Sequence, residues 1–321
     1  MFALILKFQA FMEQLRKNKR LWFTSITVIA FLGIAGTLHY LNSTTETSAK
    51  NLYAATSDTF FQDLDAQIQS AQREISAVGI ALLDNPAFTA AMNNPANGAA
   101  NSQKLKQLAD SINSAGKTQI AFDLYDKNGI KTATSIEAIK LSSLAHDSKA
   151  LIKAIATNAP VTAVEYQEGQ VYIASYFPLQ NGVFEVKKST DYLIDAYAAK
   201  EQMFQIVLDK DFLDMKRVQE FSYKKIGKSQ ISVQSKGDEN FIEFLSTIDF
   251  DQLVSDKYLL QDDYFVMGKP ILDAEGKQVG VFLIGEYALK ENSLPKMTKR
   301  ISTGITIAAM GLVVSLLVLM I

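Results

Sequence analysis

Ile120-Ala121-Phe122-Asp123-Leu124-Tyr125-Asp126-Lys127-Asn128-Gly129 is the stretch on which the fold turns. Ile120, Phe122 and Leu124 alternate with Ala121, Asp123 and Tyr125 at the period of a strand, and the run ends in a turn of the Asn-Gly type. Lys131 to Ile136 reads as the returning strand. Farther on, Val161 to Tyr166 and Val171 to Phe177 flank Gln167-Glu168-Gly169-Gln170 as a second hairpin, and Gly182 to Val186 adds another strand.

The plan then recurs. A helical stretch from Thr190 to Glu201 leads into Met203-Phe204-Gln205-Ile206-Val207-Leu208-Asp209-Lys210-Asp211, which echoes the strand ending at Asp126. Tyr264-Phe265-Val266-Met267-Gly268-Lys269-Pro270-Ile271-Leu272 matches Ile173-Ala174-Ser175-Tyr176-Phe177-Pro178-Leu179 in placing an apolar strand before Pro and a large aliphatic residue. Asp273-Ala274-Glu275-Gly276 makes a turn, and Val279 to Tyr287 the last strand. Two modules of strand, helices and hairpin are the simplest account, so the fold class expected is α+β.

Upstream, Thr47 to Leu83 reads as one long helix. Phe61, Leu64, Ile68, Ala71, Ile75, Val78 and Leu82 follow steps of three and four, while Asp63, Asp65, Gln67, Gln72, Arg73 and Glu74 fall off that stripe. The spacing leaves two uses open, a helix packed on its own sheet or the seam of a homodimer. Pro86 ends the pattern by removing a donor. A shorter helix from Ser102 to Ser114 closes at Gly116.

Two runs free of Asp, Glu, Lys and Arg bracket all of this, Leu21 to Thr45 and Ile301 to Ile321, each long enough to cross a bilayer as a helix. Arg16, Lys17, Lys19 and Arg20 precede the first, which places the N-terminus in the cytoplasm and the large segment outside. The layout expected is a cytoplasmic segment over 1–20, membrane helices over 21–45 and 299–321, and between them helices over 46–116, a membrane-distal module over 117–189 and a membrane-proximal one over 190–298. With no cysteine, no disulfide braces the outer part, which fits a bacterial periplasm beyond an inner membrane. Because Ile321 lies inside the second apolar run, the reading also expects a chain cut before a cytoplasmic output module.

The order of these parts resembles the double Cache sensory region of bacterial chemoreceptors, from residue 42 to 321. The segment Gly268-Lys269-Pro270-Ile271-Leu272-Asp273-Ala274-Glu275-Gly276-Lys277-Gln278-Val279-Gly280-Val281 is similar to that family's closing pattern of Pro, aliphatic residue, Gly turn and Val-Gly-Val, and Asp126 to Gly129 is similar to its first-module turn. The resemblance implies PAS-like modules, a ligand pocket in the membrane-distal one, homodimeric signalling across the membrane, and a small-molecule ligand or periplasmic binding protein as partner. Members that bind amino acids through the common motif use an Arg and a Trp in the first module. Here the single Trp is Trp22, so an ordinary amino acid is not the expected ligand.

No catalytic constellation stands out, and no enzyme activity or cofactor is expected. His39 lies in the first apolar run and His146 stands alone, so no metal site is read, and a net charge of −2 gives no basic footprint for nucleic acid. Asp123 is the residue that stands out. Alternation puts it with Tyr125 on the face opposite Ile120, Phe122 and Leu124, where Tyr166, Tyr172 and Tyr176 would border it and suit an amine or other cation. Asp123→Asn is expected to lower ligand binding while leaving the fold intact. Tyr258, Asp263 and Tyr264 are secondary candidates. The function expected is the sensory and signalling region of a methyl-accepting chemotaxis receptor. The alternatives are the sensor half of a histidine kinase or diguanylate cyclase, and a two-span scaffold that docks another envelope protein.

Overall fold

The computed structural model describes residues 19–94, 97–116, 118–136, 148–167, 169–210, 224–226, 230–232, 237–288 and 293–320. His146 and the segment 1–18 lie outside the described residues. The chain divides into two compact units, one of Thr56–Tyr287 and one of Met1–Ala55 with Ala288–Ile321.

The larger unit is α+β, with two antiparallel sheets. The first helix, α1 (Lys19–Leu83), is followed by α2 (Pro86–Met92), α3 (Gly98–Gly116), β1 (Ile120–Asp126), β2 (Lys131–Thr134), α4 (Lys149–Thr157), β3 (Val161–Gln167), β4 (Gln170–Leu179) and β5 (Gly182–Ser189). Next come α5 (Asp191–Ala198), β6 (Met203–Asp209), β7 (Lys224–Ile226), β8 (Gln230–Ser232), α6 (Glu239–Leu245), α7 (Phe250–Asp256), β9 (Tyr258–Gln261), β10 (Tyr264–Leu272) and β11 (Gln278–Tyr287). The first sheet runs β2-β1-β5-β4-β3 and the second β7-β8-β6-β11-β10-β9. In each, the first strand lies beside the last, so β6, β11, β10 and β9 repeat the order of β1, β5, β4 and β3.

The two hairpin turns quoted above are built alike. Asp126 Oδ1 accepts from the backbone N–H of Asn128 and Ile130, and Asp273 Oδ1 from those of Glu275 and Lys277. Gly129 and Gly276 then take φ of 75° and 83°, a region open to glycine at little steric cost.

The stripe on α1 is spent inside the molecule. Ala71 and Ile75 join Ile120, Phe122, Leu124, Ile173, Phe177, Phe184 and Val186 in one apolar core, with Ile68, Val78 and Leu82 packed against it. Leu64 is fully buried, and Phe61 receives the Lys269 ammonium over its ring at 5.9 Å. Of the two uses the spacing left open, Ala71 and Ile75 serve the helix packed on its own sheet and the buried Leu64 has no surface left for a second copy, while Phe61, Ile68, Val78 and Leu82 stay partly exposed. Charged residues off the stripe tie α1 to β5 through Glu74 and Lys188 at 2.6 Å, and to the segments that lead into β6 and β9 through Asp63 and Lys200 at 2.7 Å and Asp58 and Lys257 at 2.8 Å. Pro86 does more than end the long helix. It opens α2, whose N-cap Asn85 accepts from the N–H groups of Ala87 and Phe88.

In the smaller unit, α8 (Leu294–Met320) starts at Ser293, whose hydroxyl accepts from Lys296 N and donates to Ala288 O. Large apolar side chains stand exposed here, among them Leu32, Ile307, Leu312 and Val314. Among the described residues, no single helix is long and apolar enough to cross a membrane. The pair Glu46–Leu83 and Pro86–Met92, bent by 93°, passes by length and composition only, and it carries Ala71, Ile75 and Met92 of the sheet's core.

Candidate functional site

Opposite α1, the first sheet presents a face that is buried and polar. Register builds it: Asp123 of β1 stands beside Glu185 of β5, which in turn stands beside Tyr176 of β4, while Lys187 lies between Ala121 and Ala174. The two alanines leave lateral room for the long lysine side chain. From β3 come Glu165 and Gln167, and from β2 Lys131, across from Tyr125.

α4 lies over this face, packed on β3, β4 and β5. Its short amphipathic sequence explains why it forms there. Ser148 caps the N-terminus by accepting from Leu151 N, Ala150, Leu151 and Ala154 are buried against Tyr125, Ala163, Ala174, Tyr176 and Val183, and Asn158 ends the helix at φ 48°.

The charges form one network. Asp123 Oδ2 meets Lys187 Nζ at 2.6 Å and Lys131 Nζ at 2.7 Å. Lys187 also donates to Gln167 Oε1 at 2.6 Å and lies over the Tyr172 ring at 4.8 Å. Gln167 donates to Glu185 Oε1 at 2.6 Å and to Tyr176 OH at 2.9 Å, and Tyr125 donates to Glu185 Oε2 at 2.9 Å. Ser148 donates to Glu165 Oε1 at 2.7 Å. Asp123, Glu185 and Lys187 have no solvent exposure at all.

Burial opposes ionisation of Asp123, but the Lys187 and Lys131 ammonium groups outweigh it and hold that carboxyl below its ordinary range. Glu185 goes the other way. Its burial pushes it up, Lys187 pulls it down, and the Asp123 charge beside it raises it again. Glu165 is pushed up to about 7, chiefly by burial. The phenols of Tyr125 and Tyr176 stay neutral, raised well above the ordinary tyrosine value by the same burial. Among the described residues one oxygen of this network, Asp123 Oδ1, is buried without a hydrogen-bond partner.

Asp123, Tyr125, Tyr172 and Tyr176, expected together from the sequence, lie on this one face. Tyr166 does not: it stands opposite Val171, on the side of Ile173 and Phe177. The secondary trio is not assembled either. Tyr264 packs in an aromatic core with Phe244 at 4.5 Å, Tyr258 meets Phe265 on the other face, and Asp263 is exposed. Lys131, Glu165, Gln167, Glu185 and Lys187 were missed. Glu165 with Gln167 and Glu185 with Lys187 repeat polar residues at every second position of β3 and β5, a pattern that solvent-facing strands share, and Lys131 in Lys131-Thr132-Ala133-Thr134 carries no such signal. Because Lys187 and Lys131 share the Asp123 carboxylate, Asp123→Asn is expected to weaken the fold as well as the site.

No protein-family model matches the chain, and no curated protein does. Solved structures similar to it are sensory and ligand-binding domains. The sensory domain of the Campylobacter jejuni chemoreceptor Tlp3 is 12% identical with a TM-score of 0.38, covering 79% of this chain and 98% of that one. The same receptor's ligand-binding domain in complex with L-valine gives 12% and 0.36, over 78% and 96%. An extracellular ligand-binding receptor from Desulfohalobium retbaense gives 14% and 0.31, over 74% of this chain, which spans 39% of that receptor's length.

Proposed function

We propose that the chain is the ligand-sensing and transmembrane signalling region of a bacterial inner-membrane chemoreceptor, a binder rather than an enzyme, with its two sheets as PAS-like Cache modules in the periplasm. The apolar runs Leu21 to Thr45 and Ile301 to Ile321 and the basic cluster before the first support the anchoring. Exposed Leu32, Ile307 and Leu312 fit side chains meant for lipid. A homodimer would use a face of α1 other than the Leu64–Ala71–Ile75 stripe.

One observation carries the ligand reading. Asp123 Oδ1 is a fully buried acceptor without a partner, in a network where its sister oxygen meets Lys187, Lys131 and, at 3.5 Å, the Tyr125 hydroxyl. Such an atom is costly unless something donates to it, and a small solute bearing an ammonium or amide N–H is the chemistry that would. Ligand occupancy would then bias one of two arrangements of the membrane helices.

The test is thermal unfolding of the purified full chain with a panel of amines, amino acids and simple carboxylates. A donor-bearing solute should raise the melting temperature of the wild type. In Asp123→Asn its affinity should fall by roughly ten to a hundred-fold, the equivalent of about 1.5–3 kcal/mol for a charge-assisted hydrogen bond. A best ligand without any N–H donor, or equal affinity in both proteins, would remove Asp123 as the anchor.

A further inference from the structure

We propose that Glu165 and α4 form a proton-operated latch over the polar face, closed while Glu165 carries a proton and loosened when its buried carboxyl ionises. The geometry puts the two in direct contact. Glu165 Oε1 accepts from the hydroxyl of Ser148, the residue that caps α4, and the Ala150 N–H at the same helix end also bonds the Glu165 carboxyl. Residue and cap are both buried.

The same helix grips the second sheet. Lys149 Nζ pairs with Asp273 at 2.9 Å and Glu275 at 2.6 Å, and Lys153 Nζ donates to Ala274 O at 3.2 Å, all in the β10–β11 turn. A change at the N-terminus of α4 therefore reaches the long hairpin of the other sheet through three contacts.

The direction follows from which groups surround the carboxyl. Above it stand Ser148, Lys149 and the Ala150 N–H of α4; beside it lie Tyr172 and Tyr176 of β4, Glu185 and Lys187 of β5, and Gln167 of its own strand; Asp123 and Lys131 complete the face, and Asp273 faces it from the turn. The helix donors favour the charge. Burial outweighs them, with Glu185 and Asp273 adding to it, so Glu165 sits near 7 against an ordinary 4.5. The closed arrangement thus holds its proton more tightly than an opened one would, and raising the pH favours opening.

Hydrogen exchange of the α4 amides in the purified full chain, without ligand, reads this directly. After correction for intrinsic exchange chemistry, the closed-to-open ratio should fall about ten-fold from pH 6 to pH 8 in the wild type, the linkage expected of a single raised carboxyl. Glu165→Gln should abolish that dependence. Ser148→Ala, which removes a donor to the charged form, should move the midpoint to higher pH. A flat wild-type profile, a slope that survives in Glu165→Gln, or a midpoint unmoved or lowered in Ser148→Ala would each overturn the latch. That α4 regulates entry to the polar face rests on the binding reading above. The exchange experiment contains no solute, so the latch and the binding site can fail separately.

Discussion

A carboxylate with two ammonium partners in a dry sheet face is easy to break and hard to improve. Removing the charge of Asp123 takes away the carboxylate that Lys187 and Lys131 share, although Lys187 keeps Gln167 and, at 3.8 Å, Glu185, and loss of one member of a buried pair costs about 3–5 kcal/mol. Asp123→Asn should therefore unfold at markedly lower urea concentration than the wild type, and a loss below about 1 kcal/mol would mean that the lysines find other partners. The pH profile follows from two residues of opposite sign. Asp123, depressed in the fold, contributes stability above its ordinary 3.8 that is lost as the pH falls through the folded value. Glu165, raised in the fold, contributes below its ordinary 4.5 and loses that contribution as the pH rises through about 7. Stability measured by urea unfolding should then peak near pH ~4, between the two ordinary values, and decline from there to about pH 7, with Glu165→Gln flattening that limb. Asp123 was legible because it alone breaks an apolar strand. Its lysine partners were not, since Lys131 and Lys187 look like ordinary solvent-facing residues until the register places them on its face.

α1 shows how one periodicity serves a use that sequence alone leaves open. Steps of three and four mark a stripe, but whether a sheet or a second helix covers it depends on strands far along the chain. Gly79 is informative here: a Cβ at that position would collide with the Phe177 ring, so the helix approaches the sheet as closely as its backbone allows. Gly79→Ala should lower stability by about 1–3 kcal/mol of overpacking, even though alanine is the better helix former by about 1 kcal/mol. An unchanged denaturation midpoint would mean that the ring swings aside. Single cysteines at Leu64, Ala71 and Ile75 should not cross-link between copies, and efficient cross-linking there would restore the seam. α4 escaped the sequence reading for a different reason. At nine residues it is too short for periodicity to register, and only its Ser148 cap and its Ala150, Leu151, Ala154 face give it away.

At the scale of the whole chain, the repeated order of strands was legible from two matched runs, Ile120 to Asp126 with Met203 to Asp209, and Ile173 to Leu179 with Tyr264 to Leu272. What joins the sheets was not, because Lys149 and Asp273 are 124 residues apart. Lys149→Glu should speed hydrogen exchange in both α4 and the Asp273–Gly276 turn, and Asp273→Lys in the same chain should restore part of the protection. Faster exchange in α4 alone would mean that the turn does not depend on this pair. The strand order also bears on how the protein is made. Because β1 must wait for β5, and β6 for β11, neither sheet can close until its last strand has been synthesised, and each first strand spends that interval with an unpaired edge. A chain emerging in sequence would finish the first sheet some hundred residues before the second, giving two successive windows in which a holding chaperone is needed.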